Sequence, residues 1–249
     1  MDEPAIAFRR VTYRAQGRVL LGPLDLEVRG GETLVLLGRS GSGKTTALKL
    51  INRLLEESEG TVLVEGRPTR EWDAITLRRH IGYVIQETGL FPHYTVEKNV
   101  ALVPRLLGRP DAEIQPRVDE MLRLVDLNPQ EFRSRYPHQL SSGQRQRVGV
   151  ARALAGNPDI LLMDEPFGAL DPLSRMELQQ EFLEIQKRVR KTTVLVTHDV
   201  GEALLLASRI ALLEGGRLLG VYSQTQFLES SEATVAAYRA AWGGNLQHP

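Results

Sequence analysis

The stretch GRSGSGKTT, residues 38–46, sets a lysine and two threonines behind three glycines, a spacing that fits a loop wrapped around phosphate. Gly38, Arg39, Ser40, Gly41, Ser42, Gly43, Lys44, Thr45 and Thr46 therefore form one candidate cradle. Glycines let the backbone curl, so that successive N–H groups from about Gly41 to Thr45 point inward. Lys44 would bring a positive charge to the β and γ phosphates of ATP or GTP, and the Thr45 hydroxyl would take one position on Mg²⁺.

A second group follows in ILLMDE, residues 160–165, where four apolar residues end in two carboxylates. Ligands of open α/β sheets collect at such strand ends. Asp164 is the candidate Mg²⁺ ligand. Glu165 is the candidate base for an attacking water, a role worth roughly 10²–10⁴ in rate. Taken alone, the pair reads equally well as a charged turn after a strand; beside a phosphate loop the catalytic reading gains. His198, at the end of VLVTH, closes another strand and is placed to contact a γ-phosphate, although a single histidine is more often structural. The third group is LSSGQRQRVGVARAL, residues 140–154, in which a Ser-Gly turn opens a helix. Unpaired N–H groups, the macrodipole and the Ser141 and Ser142 hydroxyls make that start a second anion-binding turn.

These groups need a scaffold, and the composition permits one. The 249 residues are 42% apolar, enough for one large domain or two intimate lobes. The 31 basic and 31 acidic residues cancel, so no global charge draws the chain to nucleic acid or to an acidic membrane surface. The absence of cysteine excludes disulfides and thiolate metal sites. MDEPAIAFRR lacks the layout of a signal peptide, and no run reaches about 18 apolar residues, so the expectation is a chain neither exported nor membrane-spanning.

Residues 5–12, 19–28, 32–37 and 61–65 read as strands punctuated by glycine turns. Residues 44–55 and 111–127 read as helices, the second with Ile114, Val118, Met121, Leu122 and Val125 at helical spacing and Pro116 near its first turn. DILLMD at 159–164 and TTVLVTH at 192–198 are short buried-strand patterns flanking a helix over roughly 172–190, and a short helix is expected at 223–230. The chain reads as α/β with a helix-rich insertion.

The order of the phosphate loop, VIQE with Gln86, LSSGQ, LLMDEP, GALD and VTHD resembles the nucleotide-binding subunit of ABC transporters over nearly the whole chain. That resemblance implies a P-loop NTPase of ABC ATPase architecture: a RecA-like mixed-sheet core with an antiparallel β subdomain (1–94 and 159–230), an inserted α-helical subdomain (about 95–158) and a tail (231–249). It implies ATP and Mg²⁺ as cofactors, with Thr45, Gln86 and Asp164 on the metal, Glu165 as catalytic glutamate and His198 as switch histidine. Ser141, Ser142, Gly143 and Gln144 would close over the γ-phosphate held by a second copy, with Asp171 at the same interface. Two positions depart from the pattern. Ser142 replaces a glycine, which would cost of order 1 kcal/mol if a positive φ were required there. Ala15 stands where an aromatic residue often stacks on adenine; Tyr13, two residues earlier on the same strand face, is either its substitute or a surface tyrosine.

The implied partners are transmembrane permease subunits, a second copy of the chain and, indirectly, a solute-binding protein, with no nucleic acid, at the cytoplasmic face of the cell membrane. Residues 78–100, with Leu90, Phe91 and Tyr94, read either as an exposed apolar partner surface or as a segment buried in the insertion. With LKLINRL at 48–54 and YPHQLS at 136–141, they resemble importer ATPases for quaternary amines such as glycine betaine, choline and carnitine. The alternatives are an importer of another solute such as an amino acid, a non-transport ABC ATPase, for which a long coiled-coil insertion or tandem cassette is missing, and a weakly hydrolysing switch, against which Glu165 argues. Longer relatives continue into a regulatory region, and none is expected before Pro249.

Overall fold

The computed structural model describes residues 3–86 and 88–244. Contacts divide the chain into two compact units, 1–72 with 192–249 and 73–191.

The first unit begins with β1 (Ile6–Ala15) and β2 (Arg18–Val28), and from Gly22 to Val28 the buried residues of β2 alternate with exposed ones as in a half-buried sheet. After them come β3 (Thr33–Leu37), α1 (Lys44–Ile51), β4 (Glu59–Val64) and β5 (Arg67–Pro68). An antiparallel sheet runs β2-β1-β4-β5. β1 extends three residues beyond the expected 12 because it pairs with β2 as far as Ala15↔Arg18, bending at Arg10, whose φ is 48°. α1 stops at Ile51 and not at 55: Arg53 is left-handed (φ 53°), and the Leu54 and Leu55 amides both return to the Lys49 carbonyl.

The second unit holds α2 (Ala74–His80), β6 (Ile81–Val84), α3 (Val96–Val100), α4 (Leu102–Leu106), α5 (Asp111–Leu124), α6 (Pro129–Phe132), α7 (Ser142–Ala155), β7 (Ile160–Asp164) and α8 (Pro172–Val189). Between 95 and 158 the described residues form helices and no strand. α5 buries Ile114, Val118, Met121 and Leu122 as the periodicity requires. Pro116, however, lies beyond the first turn, inside α5. β6 and β7 run parallel, Ile81↔Ile160 through Val84↔Met163.

The chain then returns to the first unit with β8 (Thr192–Thr197), α9 (Val200–Leu206), β9 (Arg209–Glu214), β10 (Arg217–Tyr222), α10 (Gln224–Glu229) and α11 (Ala233–Gly244). Every residue of β3 and β8 is buried, which explains their unbroken apolar and threonine runs. β3 lies between β8 and β9, parallel to both, and β10 folds back antiparallel on β9. The expected tail thus contains a further helix, α11; its last residues, 245–249, fall outside the described ones.

Candidate functional site

Strand register places one set of candidate residues within each unit. In the first unit Leu37 pairs with Thr197, so Gly38 and His198 leave the carboxyl ends of neighbouring parallel strands at one level. The loop that follows is shaped by close approach. A Cβ on Gly38 would lie 2.3 Å from the Leu213 carbonyl oxygen and 2.5 Å from Ser42 Oγ. Gly43 has φ 95°, and a Cβ there would lie 3.0 Å from Leu21 Cδ1. Gly43 is also the N-cap of α1, which opens on Lys44.

Lys44 is 4% exposed, and its Nζ donates to the Gly38 carbonyl at 2.7 Å and to the Arg39 carbonyl at 2.9 Å. These bonds hold the ammonium across the mouth of the loop, where a polyanion would meet a charge already desolvated. Ser42 is buried beside it, and its Oγ makes no hydrogen bond, an orphaned polar atom inside the cradle. Arg39, Ser40 and Gly41 form the exposed lip, while Thr45 and Thr46 stand half-buried in the first turn of α1. Tyr13 is half-buried and pairs with Leu21, the residue packed against Gly43. His198 is exposed, and the backbone around it is braced. Thr197 Oγ1 donates to Glu202 Oε2 at 2.5 Å and accepts from the Asp199 amide, and the Asp199 carboxylate caps α9 by accepting from the Glu202 amide.

In the second unit the pairing Val84↔Met163 sets Gln86 and the Asp164–Glu165 pair at the same ends of β6 and β7. Asp164 is buried and Gln86 exposed. The Tyr83 hydroxyl is pushed up to about 12 by its burial and, secondarily, by the negative charge of Asp164. Glu165 is half-buried with φ 44°, a left-handed conformation that a non-glycine residue adopts at a cost of about 1–2 kcal/mol. Arg152 of α7 anchors the loop beyond Gln86 by donating to the Thr88 carbonyl at 2.5 Å and the Gly89 carbonyl at 2.7 Å. No motif in the sequence singles out this arginine.

The Ser-Gly turn that opens α7 forms a capping box: Ser141 Oγ accepts from the Gln144 amide, and Gln144 Oε1 accepts from the Ser141 amide. Ser141 is therefore both cap and available hydroxyl donor. Ser142 opens α7 and is absent from the positive-φ residues, so its Cβ carries no backbone strain. A Cβ on Gly143 would approach Ser174 of α8 at an ordinary 3.9 Å. Asp171 caps α8 by accepting from the Ser174 amide, and this bond holds its carboxyl below the usual carboxylate range. Beyond it Leu173 and Met176 are 61% and 55% exposed.

Phe91 is exposed, and Leu90 and Tyr94 are half-buried. Asn99, fully buried, shapes this loop by accepting from the Phe91 amide and donating to the Phe91, Tyr94 and Thr95 carbonyls. Among the described residues no helix is long and apolar enough to cross a membrane, and no cluster of three His, Cys, Asp or Glu could hold a metal.

Residues 21–168 match the family model described as ABC transporter. Over 214 residues the chain is 49% identical to the glycine betaine/carnitine/choline transport ATP-binding protein OpuCA of Bacillus subtilis, covering 86% of this chain and 56% of that protein. It is 50% identical over 205 residues to the osmoprotectant import ATP-binding protein OsmV of Salmonella typhimurium, covering 82% and 54%. The chain thus spans a little over half the length of these relatives. Among solved structures it resembles the dimeric post-hydrolysis state of the ATP-binding cassette MJ0796 bound to ADP and Pi, with a TM-score of 0.77 and 34% identity over 88% of this chain and 98% of that one.

Proposed function

Because the chain belongs to the ABC transporter family, we propose that it is the ATP-binding and ATP-hydrolysing subunit of an importer, coupling closure of two copies around ATP to uptake of a small solute. The observation that carries this reading is the loop at 38–46. Its lysine is desolvated and fixed by two carbonyls, Ser42 Oγ is buried without a partner, and the backbone lies where side chains at Gly38 and Gly43 would not fit.

In this reading Lys44 and the amides of the loop bind phosphate, Glu165 accepts a proton from the attacking water, and His198 contacts the γ-phosphate. Bound Mg²⁺ would neutralise charge on the phosphates. Thr45, Gln86 and Asp164 offer it a hydroxyl, an amide carbonyl and a carboxylate, the hard oxygen donors it takes. Tyr13 lies against the base. Ser141, Ser142, Gly143 and Gln144 grip the ATP of the second copy, and the exposed Leu173 and Met176 beside Asp171 suit an apolar contact at that interface.

The remaining partners are permease subunits, which place the chain on the cytoplasmic face of the membrane, and a solute-binding protein that acts through them. The cargo class is a quaternary amine or related osmoprotectant, on the strength of the relatives named for such solutes. Two measurements test this. The purified chain should bind MgATP and hydrolyse it, and failure to bind would overturn the reading. The membrane proteins that co-purify with it should, in vesicles, take up labelled glycine betaine or choline in preference to an amino acid; the reverse preference would reassign the cargo and leave the ATPase intact.

A further inference from the structure

The Gly38–Arg39 peptide is held at both ends. Its carbonyl accepts from Lys44 Nζ at 2.7 Å, and its N–H, the Arg39 amide, donates to the Tyr238 hydroxyl at 3.1 Å. Tyr238 lies on α11, 199 residues along the chain, and belongs to none of the groups discussed so far. The helix that carries it is firmly seated. Val235 is fully buried, Arg239 Nη2 donates to the Ser230 carbonyl at 2.8 Å, and Glu232 accepts from the Tyr222 hydroxyl at 2.8 Å. Further along, Trp242 sits so close to α9 that a Cβ on Gly201 would lie 3.1 Å from its indole nitrogen. Arg39, His198, Asp199, Tyr238 and Trp242 together line a cleft of about 380 Å³.

We infer that Tyr238 is a positioning residue of the phosphate loop: its hydroxyl fixes the Gly38–Arg39 peptide plane so that the Gly38 carbonyl faces the Lys44 ammonium. Three arguments carry this. Carbonyl and amide of a trans peptide point in opposite directions, so fixing one end orients the other. Donation from the N–H polarises the same peptide and strengthens its carbonyl as an acceptor for the ammonium. Finally, Gly38 is closed in by the Leu213 carbonyl of β9 while Arg39 and Ser40 lie exposed on the lip, so the Tyr238 hydroxyl restrains the side of the peptide that the strand does not. Burial pushes the Tyr238 hydroxyl above its ordinary range, which keeps it protonated near neutrality. α11 thereby links His198 and the phosphate loop through one cleft and acts as a strap on the nucleotide site.

The inference rests on the ATP-binding reading, and the test separates the two. MgATP is titrated into the full chain and into Tyr238→Phe, which keeps the ring and removes only the hydroxyl; steady-state hydrolysis and exchange of the Arg39 amide by NMR are measured alongside. The expected result is that Tyr238→Phe raises Kd and KM about three- to tenfold, the worth of one neutral hydrogen bond. Turnover stays unchanged, the melting temperature without nucleotide falls by no more than about 4 °C, and the Arg39 amide exchanges faster. Unchanged affinity and unchanged Arg39 exchange would overturn the assignment. So would a lower melting temperature with normal ATP affinity, which marks a packing residue. A wild-type chain that fails to bind ATP would overturn the ATP reading and this inference with it.

Discussion

Arg152 on α7 donates to the carbonyls of Thr88 and Gly89, so one guanidinium ties that helix to the loop that follows Gln86. Both acceptors lie in a turn with left-handed backbone, φ 44° at Thr88 and 52° at Gly89. The side chain is largely desolvated, and burial lowers its affinity for a proton without neutralising it. Charge-assisted bonds of this kind are worth about 1.5–3 kcal/mol each.

Arg152→Met should therefore lower the melting temperature and slow ATP hydrolysis, while equilibrium binding of MgATP to the phosphate loop changes little. Arg152→Lys, which lacks the fork, should recover only part of the stability. Equal losses of ATP affinity and of turnover would show that the arginine supports the fold as a whole and has no special tie to the Gln86 loop.

Glu165→Gln should bind MgATP and hydrolyse it roughly 10²–10⁴ more slowly, because an amide cannot take the proton of the attacking water. Loss of the carboxylate's repulsion toward the γ-phosphate should also let ATP-stabilised dimers accumulate, visible by gel filtration. The backbone at this residue is already strained at φ 44°, and the amide leaves that geometry intact. Unchanged turnover would remove Glu165 from the role of base.

Much of this arrangement was legible in the sequence, for identifiable reasons. β3, β7 and β8 are buried along their whole length, so each reads as an uninterrupted apolar or β-branched run ending at a chemical residue: Gly38, Asp164 or His198. α7 announces itself through its cap, since Ser141 and Gln144 are the residues a capping box requires. What stayed hidden is long-range. Tyr238 meets Arg39 across 199 residues and Arg152 meets Thr88 across 64, and no local periodicity encodes either contact. Other features are local: Ser230, Ser231 and Glu232 precede the alanine-rich α11 as a polar start signal, and the Gly215–Gly216 pair between β9 and β10 is a hairpin signal, but neither marks Tyr238. A cost at Ser142 would arise only with a positive φ, and the residue lies in the first turn of a helix without one.

Lys44→Ala should weaken nucleotide binding by about 1.5–3 kcal/mol, the worth of a charge-assisted contact. It also removes the donor that bridges the Gly38 and Arg39 carbonyls, so the loop loses its internal tie as well as its charge. The rise in melting temperature on adding MgATP, which follows RT ln(1 + [L]/Kd), should shrink accordingly. A full ATP-dependent rise in the variant would mean that the phosphate site lies elsewhere.

Ser142 distinguishes a turn that serves its own chain from one that serves a second copy. Because Ser142 occupies the first position of α7 with ordinary helical backbone, Ser142→Gly should leave turnover within a few-fold. Ser142→Asp should fold well, since a carboxylate in the first turn of a helix is favoured by the macrodipole. Its charge would nevertheless repel an incoming γ-phosphate and abolish ATP-driven association. The decisive measurement mixes Lys44→Ala chains, which hold ATP poorly, with Ser142→Asp chains, which cannot close over a partner's ATP. In their heterodimer, ATP bound to the Ser142→Asp chain meets an intact Ser141–Gln144 turn from the other chain, so one composite site is restored. Hydrolysis by the mixture should exceed that of either homodimer. If heterodimers form and hydrolysis does not recover, either the turn acts within its own chain or both sites must be intact for turnover. A fused dimer carrying Ser142→Asp in one half only separates those outcomes, because it keeps both phosphate loops whole.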